Sequence, residues 1–278
     1  MRVIEAPPVT VEAYGLTDRG KVRPDNEDHF LVAHIHKSVD LLCGSLSADA
    51  LQHQLGTSAA QLFVVADGVG GGPDGDIASE RTAAAVLTYA GKTAGCFQGL
   101  DVEKEHNLLK ALEKTVEEVH QQLIEGSAFQ GKAPATTLTL VLLVWPRAYV
   151  VHVGDSRAYV RRRGRVQALT RDQTLGEYMI SAGAWSEEQA AKARTGEALT
   201  SAVGGTDLMP SVGLIDLEPG DSLLLCTDGL TNQVPLERIE QVLGLPIDAK
   251  GMVEQLVKDA LAAGGADNVS VIVARGVA

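Results

Sequence analysis

The stretch Leu62-Phe-Val-Val-Ala-Asp67-Gly68-Val-Gly-Gly-Gly72 determines how the rest of the chain is interpreted. A short apolar run rich in β-branched and aromatic residues stops at an aspartate, and glycines follow. This pattern is typical of a buried β-strand that ends in a tight turn. The stretch therefore predicts a strand that delivers one carboxylate, that of Asp67, to the edge of a hydrophobic core.

The same pattern recurs along the chain. Apolar runs end in an acid, or begin beside one, at Asp28, Asp155, Asp228 and Asp267-Asn268. A single Asp-Gly after a strand is most simply a turn, and the aspartates could be scattered over the surface. Several carboxylates can gather in one place only if cations neutralise them. Because the pattern repeats, we predict that these aspartates meet around divalent cations.

Length, composition and charge exclude several classes of protein. A chain of 278 residues that is 45% hydrophobic can bury a full core, and we predict one domain over residues 1–278. The net charge of −12 disfavours nucleic acid as a partner. No apolar run is long enough to cross a bilayer, and residues 1–8 lack the apolar core of a signal peptide. Three cysteines without a CxxC spacing indicate no disulfide framework, so we expect a cytoplasmic protein without membrane contact.

Periodicity indicates an α+β fold. Apolar residues recur at helical spacing from Leu108 to Leu123, and further helices are predicted at 77–89, 236–243 and 252–261. The segment 173–202 is also helical in composition, and 37–58 is predicted to be a long loop. Three strands follow one another closely at 137–144, 148–153 and 157–162, as in an antiparallel meander. Clusters of strands with helix pairs between them favour antiparallel sheets packed against helices.

The residue types indicate which metal and which chemistry to expect. Aspartate oxygens are hard ligands that suit Mg²⁺ or Mn²⁺, whereas zinc would require histidine or cysteine at a spacing that this sequence lacks. Two such ions would bind a bridging water and lower its pKa towards neutrality. Arg23, which precedes Asn26-Glu27-Asp28, could form a forked contact with a phosphate group. The prediction is a phosphomonoesterase that forms no covalent intermediate.

The order of the motifs resembles that of a known family. The motifs are Thr17-Asp-Arg-Gly-Lys-Val-Arg23-Pro-Asp-Asn-Glu27-Asp28, Val65-Ala-Asp67-Gly68, Ala135-Thr-Thr137, Gly154-Asp155-Ser-Arg157, Pro219-Gly-Asp-Ser-Leu-Leu-Leu-Cys-Thr-Asp228-Gly and Gly264-Gly-Ala-Asp267-Asn268. Together they resemble the metal-dependent serine/threonine protein phosphatases, the type 2C or PPM family, in its bacterial form. The resemblance extends from about Tyr14 to Val273.

The resemblance implies a fold and a set of site residues. The fold is two packed antiparallel β-sheets flanked by pairs of α-helices. Asp67 would bridge two Mn²⁺ or Mg²⁺ ions, and Arg23 would bind the substrate phosphate. The remaining roles implied are the carbonyl of Gly68 and the carboxylates of Asp228 and Asp267 as ligands, Asp155 as ligand of a third, weaker ion, and Glu27, Asp28 and Asn268 around the ligands. A mobile flap would span about 171–205.

The implied function is hydrolysis of phosphoserine and phosphothreonine in proteins by a metal-bridging water, in opposition to a serine/threonine kinase. The partners would be phosphorylated proteins and their kinase, and the protein itself is expected to be a monomer. Two alternatives stay open. One is a catalytically silent module on the same fold that binds phosphoproteins, and the other is a phosphatase of a small phosphate ester. Every carboxylate position of the motifs is filled, which favours the enzyme.

Overall fold

The structure is a computed structural model that describes residues 10–35, 60–70, 73–93, 102–127, 134–193 and 195–277. The loop predicted at 37–58 lies outside these residues. Within the described ranges, no helix is both long and apolar enough to cross a membrane.

Two five-stranded antiparallel sheets form the centre of the described fold. The first sheet contains, in spatial order, β1 (Thr10–Asp18), β12 (Val269–Val277), β11 (Ser222–Cys226), β8 (Arg157–Arg162) and β9 (Arg165–Ala168). The second contains β10 (Ser211–Asp216), β7 (Arg147–Val153), β6 (Leu138–Val144), β3 (Ala60–Ala66) and β2 (His29–Ile35). A short ribbon pairs β4 (Gly68–Val69) with β5 (Ala135–Thr136).

Helices cover the outer faces of both sheets. The helices are α1 (Pro73–Thr93), α2 (Val102–Ser127), α3 (Leu175–Ser181), α4 (Glu187–Lys192), α5 (Asp228–Thr231), α6 (Leu236–Leu243) and α7 (Ala249–Ala263). Helices α1 and α2 pack on the second sheet, and α6 and α7 pack on the first. The prediction of an α+β sandwich with paired flanking helices is confirmed.

Three layers of apolar side chains hold the sandwich together. Phe63 and Leu225 belong to the layer between the two sheets. Leu62 and Val64, one residue on either side of Phe63, belong instead to the layer beneath α1 and α2. Successive side chains of a strand point to opposite faces, so a strand buried on both faces must be apolar throughout. This explains the uninterrupted apolar run that precedes Asp67.

The segment 173–202 differs from its helical composition. Its described residues, 173–193 and 195–202, contain two helices, the short α3 and α4. Gly183 has a φ of +70°, a conformation that follows helix ends, and Ser186 starts α4 with a capping box. The backbone of residues 173–176 is then hydrogen-bonded to 196–200 instead of to a continuing helix. The helical composition correctly predicted helices in this segment, but it did not predict the turn between them or the extended stretch that follows.

Candidate metal centre

The residues predicted for the site converge on one cavity of about 470 Å³. It opens where β1, β3, β7 and β11 end and where β12 begins. Eight of the nine predicted residues line it: Arg23, Glu27, Asp67, Gly68, Asp155, Asp228, Asp267 and Asn268. The ninth, Asp28, is buried and interacts electrostatically with Asp67.

Strand register explains why residues far apart in sequence arrive together. In the first sheet, Val269 pairs with Asp18 and Val271 pairs with Cys226. The start of β12, the end of β1 and the end of β11 therefore lie side by side at the same end of the strands. In the second sheet, Ala66 pairs with His29, which places Asp67 next to Asp28. Because the two sheets pack face to face, the strand ends of both sheets contribute acids to the same cavity.

The backbone of Asp67 is fixed by two threonines. Its N–H donates to Thr137 Oγ1 at 3.0 Å, and its carbonyl accepts from the Thr137 N–H and the Thr136 hydroxyl, both at 2.9 Å. Thr137 Oγ1 also lies 2.8 Å from Ser156 Oγ. The backbone of Asp67 is thus hydrogen-bonded on both sides. Thr136 and Thr137 belong to a recognised motif, but the sequence did not indicate this role for them.

Burial and mutual repulsion keep the acids of the cavity from ionising easily. Burial, with the neighbouring Asp28, raises the pKa of Asp67 well above its usual range. Burial, with Asp228 nearby, raises the pKa of Asp155 to about 7. Burial also raises the pKa of Asp228, with a further contribution from Asp267. A divalent cation would relieve this repulsion, so the donor set fits the hard cations expected from the sequence.

Asp28 presents one satisfied and one unsatisfied oxygen. Its Oδ2 accepts hydrogen bonds from Thr227 Oγ1 at 2.9 Å and from Ser270 Oγ at 2.8 Å. Its Oδ1 is buried and has no hydrogen-bond partner among the described residues. Burial raises the pKa of Asp28 to about 7, although the two hydroxyl donors oppose that rise. An unpaired buried oxygen at this depth is a further feature that a hydrated cation would satisfy.

Asn268 ties the loop that carries Arg23 and Glu27 to the last strand. Its Oδ1 accepts the N–H of Glu27 at 2.9 Å, and its Nδ2 donates to the carbonyls of Arg19 and Asp25, both at 2.9 Å. The amide side chain therefore makes three contacts across the loop. This contact, which spans 241 residues of sequence, places Glu27 beside the cavity.

Arg23 and Asp267, predicted to have separate roles, contact each other. Arg23 Nη2 lies 2.6 Å from Asp267 Oδ2, while Asp267 Oδ1 accepts the Asn268 N–H at 2.8 Å. The described residues contain no group of three or more histidine, cysteine, aspartate or glutamate side chains already arranged around one ion. The predicted ligand assignments consequently remain predictions. The Arg23 side chain is 48% exposed, and an ion pair of this kind contributes only about 0–1 kcal/mol, so it exchanges easily.

Two further features beside the cavity were not predicted. Arg157 donates two hydrogen bonds to Asp172, at 2.8 and 2.6 Å. Burial of Asp155 raises the pKa of its carboxyl, and the positive charge of Arg157 partly opposes that rise. Glu197 and Leu199, from the predicted flap, line the cavity as well. Arg157 belongs to a recognised motif, whereas nothing in the local sequence marks Glu197.

His152 lies inside the apolar strand β7 and is a core residue. It is fully buried. Its Nδ1 lies 2.9 Å from Thr139 Oγ1 and its Nε2 lies 3.0 Å from the Arg171 carbonyl oxygen. Both ring nitrogens therefore have partners, and this histidine has no role in the cavity.

Comparison with known proteins agrees with the geometry. Residues 40–269 match the family described as Protein phosphatase 2C. The chain is 30% identical to the protein phosphatase PhpP of Streptococcus pneumoniae over 259 residues, which are 92% of this chain and 94% of that protein. It is 29% identical over 260 residues to the serine/threonine protein phosphatase PstP of Mycobacterium tuberculosis, which covers 93% of this chain but only 43% of that protein.

Solved structures of similar proteins share the fold. The serine/threonine phosphatase of S. agalactiae superposes with a TM-score of 0.78 at 26% identity, covering 96% of this chain and 99% of that one. The catalytic domain of PstP in complex with two manganese ions gives 0.72 at 28% identity, covering 97% and 100%. Sequence match, fold and the converging acids agree: the chain belongs to the protein phosphatase 2C family.

Proposed function

We propose that this protein hydrolyses phosphoserine and phosphothreonine monoesters in phosphorylated proteins and that it requires Mn²⁺ or Mg²⁺. The observation that carries the proposal is the convergence of Asp67, Asp155, Asp228 and Asp267 on one cavity that Arg23 also lines. Relatives described as protein phosphatases support it, among them the serine/threonine protein phosphatase PstP, whose catalytic domain has a structure in complex with manganese.

The cations would be held by the residues predicted from the sequence. Asp67 and the carbonyl of Gly68 would hold them together with Asp228 and Asp267, and Asp155 would contribute to a third ion. Glu27 and Asp28 would act through hydrogen bonds around this set. When bound, the cations would make a water molecule more acidic and polarise the phosphoryl oxygens.

The protein's own residues supply binding and orientation. Arg23 would exchange Asp267 for the phosphate group, whose geometry matches the forked guanidinium. Thr136 and Thr137 would hold the backbone of Asp67 in place while the charge at the cavity changes. Asn268 would keep the Arg23 loop closed against β12.

The test is hydrolysis of p-nitrophenyl phosphate and of a phosphothreonine peptide, with and without Mn²⁺, by the wild type and by Asp228→Asn. We expect activity that requires added Mn²⁺ and falls at least a hundredfold in Asp228→Asn, since one carboxylate of the shared cavity is lost. Asp207→Asn, a matched change at an exposed aspartate outside the cavity, should retain activity. Calorimetric titration with Mn²⁺ gives a readout that does not depend on turnover.

Each alternative outcome would indicate a different function or a wrong assignment of the cavity. Mn²⁺ binding without hydrolysis of either substrate would indicate a silent binding module. Hydrolysis of the aryl ester alone would indicate a phosphatase of small esters. Equal activity in the wild type and Asp228→Asn would contradict the assignment of the cavity.

We also propose the wider setting expected from the sequence. The partners would be phosphoproteins and the serine/threonine kinase that modifies them, and the protein would act as a cytoplasmic monomer. Residues 1–278 would form one catalytic domain whose flap spans about 171–205. The short helices α3 and α4 in that segment, beside a cavity that Glu197 and Leu199 enter, support a flap role.

A further inference from the structure

The segment 196–200 carries an anchored acid into the cavity. The Gly196 carbonyl accepts the N–H of Gly176 at 2.9 Å, and the Ala198 carbonyl accepts the N–H of Leu175 at 2.8 Å. The Thr200 N–H donates to the Gln173 carbonyl at 2.8 Å. These bonds on both sides of Glu197 fix the backbone that carries it, so its exposed carboxylate is not on a free loop.

Alternation along this extended stretch places two unlike side chains next to each other. Leu199 forms an isolated bridge with Thr174, so the backbone there is strand-like. Residues two apart on such a backbone share a face. Glu197 and Leu199 accordingly both line the cavity that contains Asp67 and Asp228. They present a carboxylate beside an apolar surface.

The charges near Glu197 are mostly negative. No basic side chain among the described residues forms an ion pair with it. Of the described residues that line the cavity, Arg23 is the only basic one, and it is already paired with Asp267. Asp25, like Glu197, lines the cavity and is exposed. The other basic side chain close to Glu197 is that of Arg157, which lines the adjoining cavity and is paired with Asp172, so the charges that a substrate segment meets here are mainly carboxylates.

A smaller cavity of about 240 Å³ adjoins the first one and shares Asp155, Glu197 and Asp228 with it. Its wall includes apolar surface from Ile180 and Ala190. Glu197 lies at the boundary of the two spaces. A long side chain could therefore run past Leu199 with its end at Glu197.

We propose that Glu197 and Leu199 determine specificity, and that they select phosphorylated segments with an arginine or lysine next to the phosphorylated residue. The aliphatic part of the basic side chain packs on Leu199, and its charged end pairs with Glu197. This inference rests on the proposed phosphatase function. It adds the chemical class of the preferred substrate.

The test compares two phosphothreonine peptides that differ only in flanking residues, arginine in one and glutamate in the other. The readout is the ratio of kcat/KM for the two peptides on the same Mn²⁺-loaded enzyme, so any common loss of folding or metal cancels. We expect the wild type to favour the arginine peptide at low salt. Glu197→Gln should reduce the ratio about fivefold, the factor that an exposed ion pair of about 1 kcal/mol produces. Glu197→Lys should reverse the preference.

The matched control is Glu188→Gln. Glu188 carries the same charge in the same segment but lies outside both cavities and pairs with Lys192. It should leave the peptide ratio unchanged. Raising NaCl to about 0.5 M should lower the wild-type ratio, because salt screens exposed charges.

The outcomes separate this inference from the proposed function. If the wild type hydrolyses neither peptide nor p-nitrophenyl phosphate, the phosphatase function itself fails. If it hydrolyses both peptides equally well, or if Glu197→Lys keeps the wild-type ratio, the phosphatase stands and the role of Glu197 is refuted. A changed Mn²⁺ requirement in Glu197→Gln with an unchanged ratio would also refute it, by assigning Glu197 to cation binding.

Discussion

At the scale of single residues, Thr137 has more influence on the cavity than its neutral side chain suggests. Its hydroxyl accepts the Asp67 N–H and contacts Ser156, and its own N–H donates to the Asp67 carbonyl. The position is completely buried. A hydroxyl in this place supports the orientation of a carboxylate without touching its oxygens. Such supporting contacts commonly matter for metal affinity.

Thr137→Val tests this support. Valine keeps the shape but removes the acceptor of the Asp67 N–H, so we expect Mn²⁺ affinity to fall about 10- to 100-fold. Isothermal titration calorimetry measures the change. Thr137→Ser restores the hydroxyl and should recover most of the affinity. An unchanged affinity in the valine variant would show that Asp67 needs no such support.

At the scale of the elements, only Thr227 separates β11 from helix α5, which packs directly on the start of β12. A Cβ added to Gly229 would lie 1.9 Å from the carbonyl oxygen of Asn268. Only a residue without a side chain permits this approach. The close contact holds Asp228 and Asp267 at the same end of the strands of the first sheet. The packing of α5 therefore sets the relative position of these two acids in the cavity.

Gly229→Ala should therefore damage both folding and the cavity. We expect a loss of about 1–3 kcal/mol in the free energy of unfolding, because the new methyl group overpacks this contact. Mn²⁺ affinity should fall as well, since the Asp267-Asn268 backbone must shift. Urea denaturation and calorimetry measure the two effects.

Gly91→Ala in α1 is the matched control for that experiment. Among the described residues, no atom beyond the adjacent residues and the helix's own backbone lies within 4 Å of the added Cβ, and alanine favours helix, so stability should be unchanged or rise by up to about 1 kcal/mol. Equal behaviour of the two alanine variants would contradict the close-packing explanation.

At the scale of the whole molecule, the acids of the cavity make stability depend on pH and on metal. Burial raises the pKa of Asp28 and of Asp155 to about 7 in the folded protein. The unfolded chain releases the same protons near pH 4. Between about pH 4 and 7 the folded state therefore binds more protons, and its stability decreases as pH rises through this window. The net charge of −12 acts in the same direction.

His152 has the opposite effect at the acidic end. Burial lowers the pKa of its imidazole, so below about pH 6.5 the unfolded chain binds a proton that the folded core resists. Stability is lost there as pH falls. Several acids with raised pKa values outweigh this one imidazole, so the metal-free protein should still lose stability as pH rises from about 4 to 7, and His152 only reduces that slope.

Thermal unfolding with EDTA and with Mn²⁺ measures this dependence. The metal-free protein should have a Tm several degrees lower at pH 8 than at pH 6, and Mn²⁺ should raise the Tm more at pH 8 than at pH 6. Asp155→Asn should reduce the pH dependence of the metal-free protein, since one of the shifted carboxyls is gone. The same Tm at both pH values without metal would contradict the repulsion ascribed to the cavity.

Local sequence patterns predicted much of this protein. The apolar run before Asp67 predicted a buried strand, and the spacing from Leu108 to Leu123 predicted α2, because the buried face of a strand or a helix must be apolar and this requirement is visible in the local sequence. The acids at the ends of the strands were found for the same reason. That these acids converge on one cavity was only a hypothesis, which was based on the recurrence of the same pattern along the chain.

Tertiary structure alone decided the contacts between residues far apart in sequence. The ion pair of Arg23 with Asp267 spans 244 residues, and the support of Asp67 by Thr137 spans 70. The entry of Glu197 into the cavity depends on backbone bonds to 173–176 that composition did not predict. A local pattern records which face of an element is buried, but it holds no record of which distant side chain lies opposite. Strand pairing within each sheet, together with backbone hydrogen bonds between the connecting segments, fixes that partner.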